Sequence, residues 1–191
     1  MEELKQRILN DGRLLDGYIL KVDNFLNHQL DVQLLDNMGK AFAERFAGVE
    51  IDKILTIEAS GIAVACMAAR HFNHVPVVFA KKTQSLNMDQ DAYESEVFSY
   101  TKQQGYKVRV SHRYLHKGER VLIMDDFLAH GNASLGLIDL VKQAEAIPVG
   151  VGIVIEKGFQ DGGKAIRDAG VQLESLAVLG PIENGTIEFL D

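Results

Sequence analysis

Two continuous apolar runs constrain the fold of this chain more than any other feature: VLIM at residues 121–124 and VGVGIVI at residues 149–155. A strand with one wet face alternates apolar and polar residues, whereas an unbroken short run fits a strand covered on both faces. Between the two runs lies a helical pattern from Ser134 to about Ala144. Upstream, KILTI (53–57), a small-residue helical stretch (62–69) and VPVVFA (75–80) have the order and spacing of a β–α–β unit. The fold class that follows is α/β, with a mostly parallel central sheet flanked by helices.

Other segments fill in this frame. Leu34, Leu35, Met38, Phe42 and Phe46 recur every three or four residues, so a helix is predicted with Asp31 as its N-cap and Gly48 at its end. The opening MEELKQRILNDG reads as an amphipathic helix and lacks the apolar centre of a secretory signal. Val108, Val110, His112 and Tyr114 alternate with polar neighbours, an antiparallel strand signal, and Lys117-Gly118 makes the following turn. The tail predicts a short helix at 163–168 and two weaker strands at 173–179 and 186–190. Residues 81–95 are polar and aperiodic, long for a connection inside a compact domain; such a stretch is expected to be a functional lid or a disordered surface loop. The chain is expected to be one domain, with an α/β core at 31–156 and a cap built from residues 1–30 and 157–191.

Composition excludes several function classes. Twenty Lys and Arg against 27 Asp and Glu give a net charge of −7, which disfavours a sequence-blind nucleic-acid binder. No run of about 18 apolar residues exists to cross a bilayer. One cysteine excludes a disulfide framework and a multi-cysteine zinc site, and makes the reducing cytoplasm the natural compartment. The six histidines show no metal-ligand spacing, so no direct metal ligand is assigned.

The segment VLIMDDFLAHGNA (121–133) carries the most chemistry. A buried strand delivers Asp125 and Asp126 to its carboxyl end, where ligands sit in open α/β sheets. The small-residue turn Ala129, His130, Gly131, Asn132, Ala133 then opens a helix, whose first N–H groups lack internal partners and face anions. Phosphate on one side and paired acceptors on the other suit a phosphorylated pentose. The structural alternative makes Asp125 a strand-end cap and Asp126 a helix-entry residue. Glu58, Ala59, Ser60 and Gly61 form a second small-residue turn between strand and helix, which alone fits tight packing as well as ligand binding.

The motif at 121–133 resembles the sugar-diphosphate-binding motif of type I phosphoribosyltransferases. The segments LKVDNFLNH (20–28), TIEASG (56–61), VVFAK (77–81) and IVIEKGF (153–159) extend the resemblance over nearly the whole chain, to the xanthine-using branch of that family. One departure stands out: most of the family carries Thr-Gly-Gly-Thr in the phosphate turn, and here it is His130-Gly131-Asn132-Ala133, so main-chain groups and Asn132 must supply the contacts. The resemblance implies transfer of a phosphoribosyl group from 5-phosphoribosyl 1-diphosphate to xanthine, with Mg2+ bound alongside the diphosphate. It implies that Asp125 and Asp126 hold the ribose hydroxyls, that residues 129–133 grip the 5′-phosphate and that residues 58–61 meet the pyrophosphate. Leu20, Asn27 and Lys157 would hold the purine, with Asn27 reading a second oxo group and Leu20 packing on the ring. The polar stretch at about 82–100 would be a mobile lid, and the molecule a cytoplasmic homodimer.

Rival classes lack their residues. Gly150 and Gly152 have dinucleotide-fingerprint spacing but sit inside an apolar strand, and Gly131 and Gly136 have P-loop spacing but Leu137 where the lysine belongs. A signalling receiver would need a phosphoacceptor Asp at a later strand end, but Asp139 and Asp168 lie in helical patterns. Cys66, in a small-residue helix, reads as core. The non-enzyme alternative is a phosphoribosyltransferase-like regulator that senses the sugar diphosphate; it would need a basic DNA-reading surface that this chain does not carry.

Overall fold

A computed structural model describes residues 1–82, 91–99 and 104–190. Among these, five parallel strands form the central sheet in the order β4-β3-β7-β8-β9: β3 (Lys53–Ile57), β4 (Val77–Ala80), β7 (Arg120–Leu128), β8 (Ile147–Lys157) and β9 (Leu173–Leu179). Two antiparallel hairpins stand outside it, β1 (Arg13–Leu15) with β2 (Ile19–Lys21), and β5 (Ala92–Ser99) with β6 (Gln104–Ser111).

The apolar runs are strands because both faces of the sheet are covered. Helices α1 (Glu2–Asp11), α2 (Val32–Arg45) and α3 (Ser60–Ala69) pack on one face through Leu4, Met38, Phe42 and Val64, against Ile54, Leu122 and Val154 of the sheet. On the other face α4 (Asn132–Gln143), α5 (Gly162–Asp168) and the β5–β6 hairpin cover Leu55, Ile123 and Ile153 with Leu137, Ile166 and Val97. Fully burying one such aliphatic side chain stabilises by roughly 1.5–3 kcal/mol, so the double coverage dominates the energetics of the fold. The paired glycines of β8 are explained here. A Cβ on Gly150 would lie 2.5 Å from the Phe46 ring, and one on Gly152 would lie 3.1 Å from the Phe42 ring. They are clearance for aromatics at the end of α2, not a nucleotide fingerprint.

Asp31 caps α2 as predicted, its carboxylate accepting the Leu34 N–H at 3.1 Å. Four segments differ from expectation. β7 runs past Asp125 and Asp126 to Leu128 because its main chain stays paired with β8, up to Leu128 opposite Glu156. β6 stops at Ser111, and His112–Tyr114 coil into a 3₁₀ turn capped by the Ser111 hydroxyl, which ends the alternation early. Ala92–Ser99 is a strand, although residues 92–95 belong to the stretch read as aperiodic, since pairing with β6 supplies its order. The tail after β9 makes only isolated bridges, such as Leu179 to Phe189, where a strand was expected at 186–190. Much of the stretch expected to be a lid, residues 83–90 and 100, lies outside the described residues. Among the described residues no helix is long and apolar enough to cross a membrane.

Both ends of the chain meet one face of the sheet. The Met1 amino group donates to the Leu176 carbonyl of β9, and Ile187 and Phe189 pack on the core cluster that holds Leu4 and Ile8. The β1–β2 hairpin leads into a π-type turn, Asp23–Asn27, that buries Phe25 and Leu26 and leaves Asn27 exposed.

At the opposite end of the sheet, Lys53 enters β3 with its amine buried, donating to Glu119 at 2.7 Å and to the Tyr114 carbonyl at 2.7 Å. Burial opposes ionisation of Glu119, yet hydrogen bonds from Lys53 and His116 outweigh it and hold the carboxyl below its usual value. A folded-state value lowered in this way contributes stability above the unfolded value, and that contribution is lost as pH falls through the folded one. Glu119→Gln leaves a buried ammonium without a counter-charge, and chemical denaturation at neutral pH should show a loss of about 2 kcal/mol or more. The gap between wild type and variant should narrow as the medium is acidified; a constant gap down to about pH 3 would contradict the pairing.

Candidate active site

The carboxyl ends of β3 and β7 lie side by side and feed helices on different faces of the sheet: β3 leads to α3 on one, β7 to α4 on the other. Two helix starts therefore flank the acid pair. Gly131 is the N-cap of α4, with φ 81° and ψ 0°, a left-handed conformation that glycine adopts at no steric cost. Its carbonyl accepts the Leu135 N–H at 2.8 Å, which leaves the first N–H groups of α4 turned outward.

Ala129, His130, Gly131, Asn132 and Ala133 line a cavity of about 210 Å³, closed by Phe98 and Tyr106 of the β5–β6 hairpin. Beside it is a cavity of about 100 Å³ lined by Glu58, Ala59, Ser60, Lys82, Asp125 and Asp126. Tyr106 and Ala133 belong to both, so the two spaces adjoin. The acids thus stand between the two small-residue turns singled out from the sequence.

The two carboxylates sit in different surroundings. Asp125 is 6% exposed, and its Oδ1 accepts the Asp126 main-chain N–H at 2.9 Å. Burial pushes its carboxyl well above the usual range, and the neighbouring charge of Asp126 adds to this. Asp126 is half-buried; its Oδ1 accepts the Phe127 N–H at 3.0 Å and its Oδ2 accepts the Asn27 side-chain amide at 3.1 Å. Tyr106 has its phenol raised by burial first and by Asp125 second.

Close backbone approach explains Gly61. A Cβ there would run into the Thr56 hydroxyl and come within 3.0 Å of Asp125 Oδ1. Only a glycine lets α3 begin against the acid pair. Across the same cavity the Glu58 carboxylate accepts the Lys82 N–H at 2.6 Å, and the Glu58–Ala59 peptide is cis.

The residues assigned from the sequence do not all converge. Glu58, Ala59, Ser60, Gly61, Asp125, Asp126 and the turn at 129–133 do, and Asn27 joins them through Asp126. Asn132 is in the turn, but its side-chain amide donates to the Phe98 carbonyl at 2.9 Å, so it braces the hairpin. His130 Nδ1 is 2.6 Å from Asp161, whose carboxyl is held low mainly by that contact. Leu20 is 8% exposed and belongs to the core cluster, and Lys157 ends β8 opposite Leu179; neither lines the two cavities. Phe159 is 43% exposed just beyond Lys157. Lys82 and Tyr106 were missed. Lys82 reaches the turn at 58–61 by donating its main-chain N–H to the Glu58 carboxylate, and Tyr106 arrives on a hairpin; no local motif marks either.

Among the described residues, the sheet order β4-β3-β7-β8-β9 brings a glycine-capped helix, an acid pair and a second small-residue turn to one edge of a parallel sheet, the layout of an α/β protein that binds its ligand beyond the carboxyl ends of its strands. Residues 21–171 match the family model described as phosphoribosyl transferase domain, and the chain belongs to that family. It is 66% identical over 189 residues to a xanthine phosphoribosyltransferase of Laribacter hongkongensis, covering 99% of this chain and 100% of that one. It is 60% identical over 189 residues to xanthine phosphoribosyltransferase 1 of Clostridium perfringens, with the same coverage. Among solved structures, adenine phosphoribosyltransferase of Rhodothermus marinus superposes with a TM-score of 0.76 at 22% identity, over 94% of this chain and 100% of that one. The Trypanosoma brucei adenine enzyme, solved with AMP, pyrophosphate and ribose-5-phosphate, gives 0.74 at 20% identity over 92% and 78%. The fold is that of the type I phosphoribosyltransferases.

Proposed function

We propose that this protein transfers the 5-phosphoribosyl group of 5-phosphoribosyl 1-diphosphate to xanthine, forming xanthosine 5′-monophosphate and pyrophosphate. The purine follows from relatives that carry the xanthine name and match the full length of the chain. The observation that carries the reaction is the pair of adjoining cavities, the larger lined by the turn at 129–133 and the smaller by Asp125, Asp126 and the turn at 58–61.

In this scheme the turn at 129–133 binds the 5′-phosphate through main-chain N–H groups and the end of the α4 dipole. The turn at 58–61, with the start of α3, receives the diphosphate. A purine ring nitrogen forms a bond to the anomeric carbon as the bond from that carbon to the diphosphate oxygen breaks. The electron pair leaves with pyrophosphate, and the ring nitrogen's proton passes to the surroundings. Positive charge grows on the furanose in between. Asp126, the more accessible acid, holds ribose hydroxyls and offsets that charge, and Asp125 fixes the main chain beneath it through the 2.9 Å bond to the Asp126 N–H. Catalysis is then placement and charge stabilisation, with no covalent enzyme intermediate.

The donor set fits Mg2+ that arrives with the diphosphate. Hard carboxylate oxygens of Glu58, Asp125 and Asp126 border the smaller cavity, and among the described residues no three acidic, His or Cys side chains converge to hold an ion by themselves. When bound, the ion would neutralise charge on the leaving group. The same proposal takes Lys157 and Asn27 as partners of the purine oxo groups and Leu20 as packing beneath it. It includes a homodimer, supported by apolar residues on the rim of the sheet such as Phe79, 40% exposed on β4. It places the enzyme in the cytoplasm, supported by a lone thiol at Cys66.

Two tests follow. Offered xanthine, guanine, hypoxanthine, adenine and uracil with the sugar diphosphate and magnesium, the protein should release pyrophosphate fastest with xanthine. Asn27→Ala should narrow the xanthine preference over hypoxanthine about tenfold, the scale of one lost hydrogen bond; unchanged selectivity would move the reader elsewhere. Asp126→Asn should lower kcat by about two to three orders of magnitude with an unchanged melting temperature. A near-normal rate would remove Asp126 from the chemistry.

A further inference from the structure

Beyond the acid pair and its two turns, one residue presses on the back of the phosphate turn. Gly162, buried at the start of α5, donates its N–H to the Ala129 carbonyl at 3.1 Å. A Cβ at Gly162 would collide with that carbonyl oxygen, lie 2.8 Å from the Gly131 nitrogen and 3.0 Å from the His130 carbonyl carbon. The contact is mutual: a Cβ on Gly131 would lie 3.1 Å from the Gly162 Cα and 3.3 Å from its carbonyl oxygen. All of these neighbours are backbone, which cannot swing aside as a long side chain can. The preceding Asp161 meets His130 at 2.6 Å, so consecutive residues of this segment grip consecutive parts of the turn.

We propose that Gly162 is a positioning residue for the sugar phosphate: its bare Cα sets how far the turn at 129–133 settles against α5, and so where the amides of that turn point. The inference rests on the proposed role of that turn in holding the 5′-phosphate. Gly131 supplies one such N–H, and the atom a Gly162 side chain would crowd is that same nitrogen. Misplacement of binding groups by about 1 Å can cost about a hundredfold. The neighbouring glycine supplies the contrast. A Cβ on Gly163 would strike the Glu156 carboxylate and come within 2.9 Å of Arg167 Nη1, so its nearest neighbours are side chains and not the backbone of the turn.

Steady-state kinetics on Gly162→Ala, Gly163→Ala and Gly131→Ala test this. Gly162→Ala should raise KM for 5-phosphoribosyl 1-diphosphate about 10- to 100-fold and weaken competitive inhibition by ribose 5-phosphate by a similar factor. KM for the purine should stay within about twofold, since a positioning defect at the phosphate leaves the base site alone. Gly163→Ala should leave the sugar-diphosphate KM within about twofold of wild type while lowering the melting temperature. If Gly162→Ala leaves KM unchanged, or if Gly163→Ala raises it equally, the proposal fails. Gly131→Ala separates the causes: a raised KM there with a silent Gly162→Ala overturns the positioning role alone, and silence at both overturns the phosphate turn. Should Gly162→Ala not fold, amide NMR of the wild-type protein decides, because ribose 5-phosphate should shift the Gly162 N–H together with that of Gly131, and an unmoved Gly162 signal refutes it.

Discussion

The pairing of β7 with β8 beyond the end of the apolar run is the constraint on which the site depends. Had β7 stopped at Met124, the two carboxylates would sit on a loop. Instead the main chain stays in register as far as Leu128 opposite Glu156, and Asp125 lies opposite Ile153 inside the sheet. That rigidity fixes two carboxyl groups beside the starts of α3 and α4, which is where a low-dielectric surrounding and oriented N–H groups act most strongly on a charged ligand.

The unequal burial of the two acids follows from the same register. Asp125 is enclosed, accepts a backbone N–H and is pushed toward its neutral form, so it organises the strand end. Asp126 stays half-exposed and tied to Asn27 of the amino-terminal segment. The distal end of the chain is attached as well, since Asp161 meets His130 and Gly162 meets Ala129 and Gly131. Segments from both ends of the chain therefore touch one turn or one carboxylate.

Much of this was legible in the sequence where the cause is local. The cap at Asp31, the 3.6-residue apolar period of α2 and the glycine-bearing bend before α4 need only neighbouring residues. What was not legible is set by distant partners. Nothing near Gly150 or Gly152 announces that Phe42 and Phe46 will need the room, and nothing near Asn27 announces Asp126. The continuation of β7 through two acids and the strand at Ala92–Ser99 are decided by the strands beside them. Tyr106 escaped notice for the same reason: its place between the cavities comes from the docking of the hairpin on α4, where a Cβ on Gly136 would lie 2.5 Å from Val97.

In the proposed reaction, main-chain amides hold a phosphomonoester with its sugar at the acid pair of β7. A crystal structure of the protein with ribose 5-phosphate is the most direct measurement. The phosphate oxygens should lie about 2.7–3.2 Å from N–H groups of residues 130–133, with the furanose hydroxyls against Asp126. A sugar phosphate bound in another crevice while this turn stays empty would contradict it.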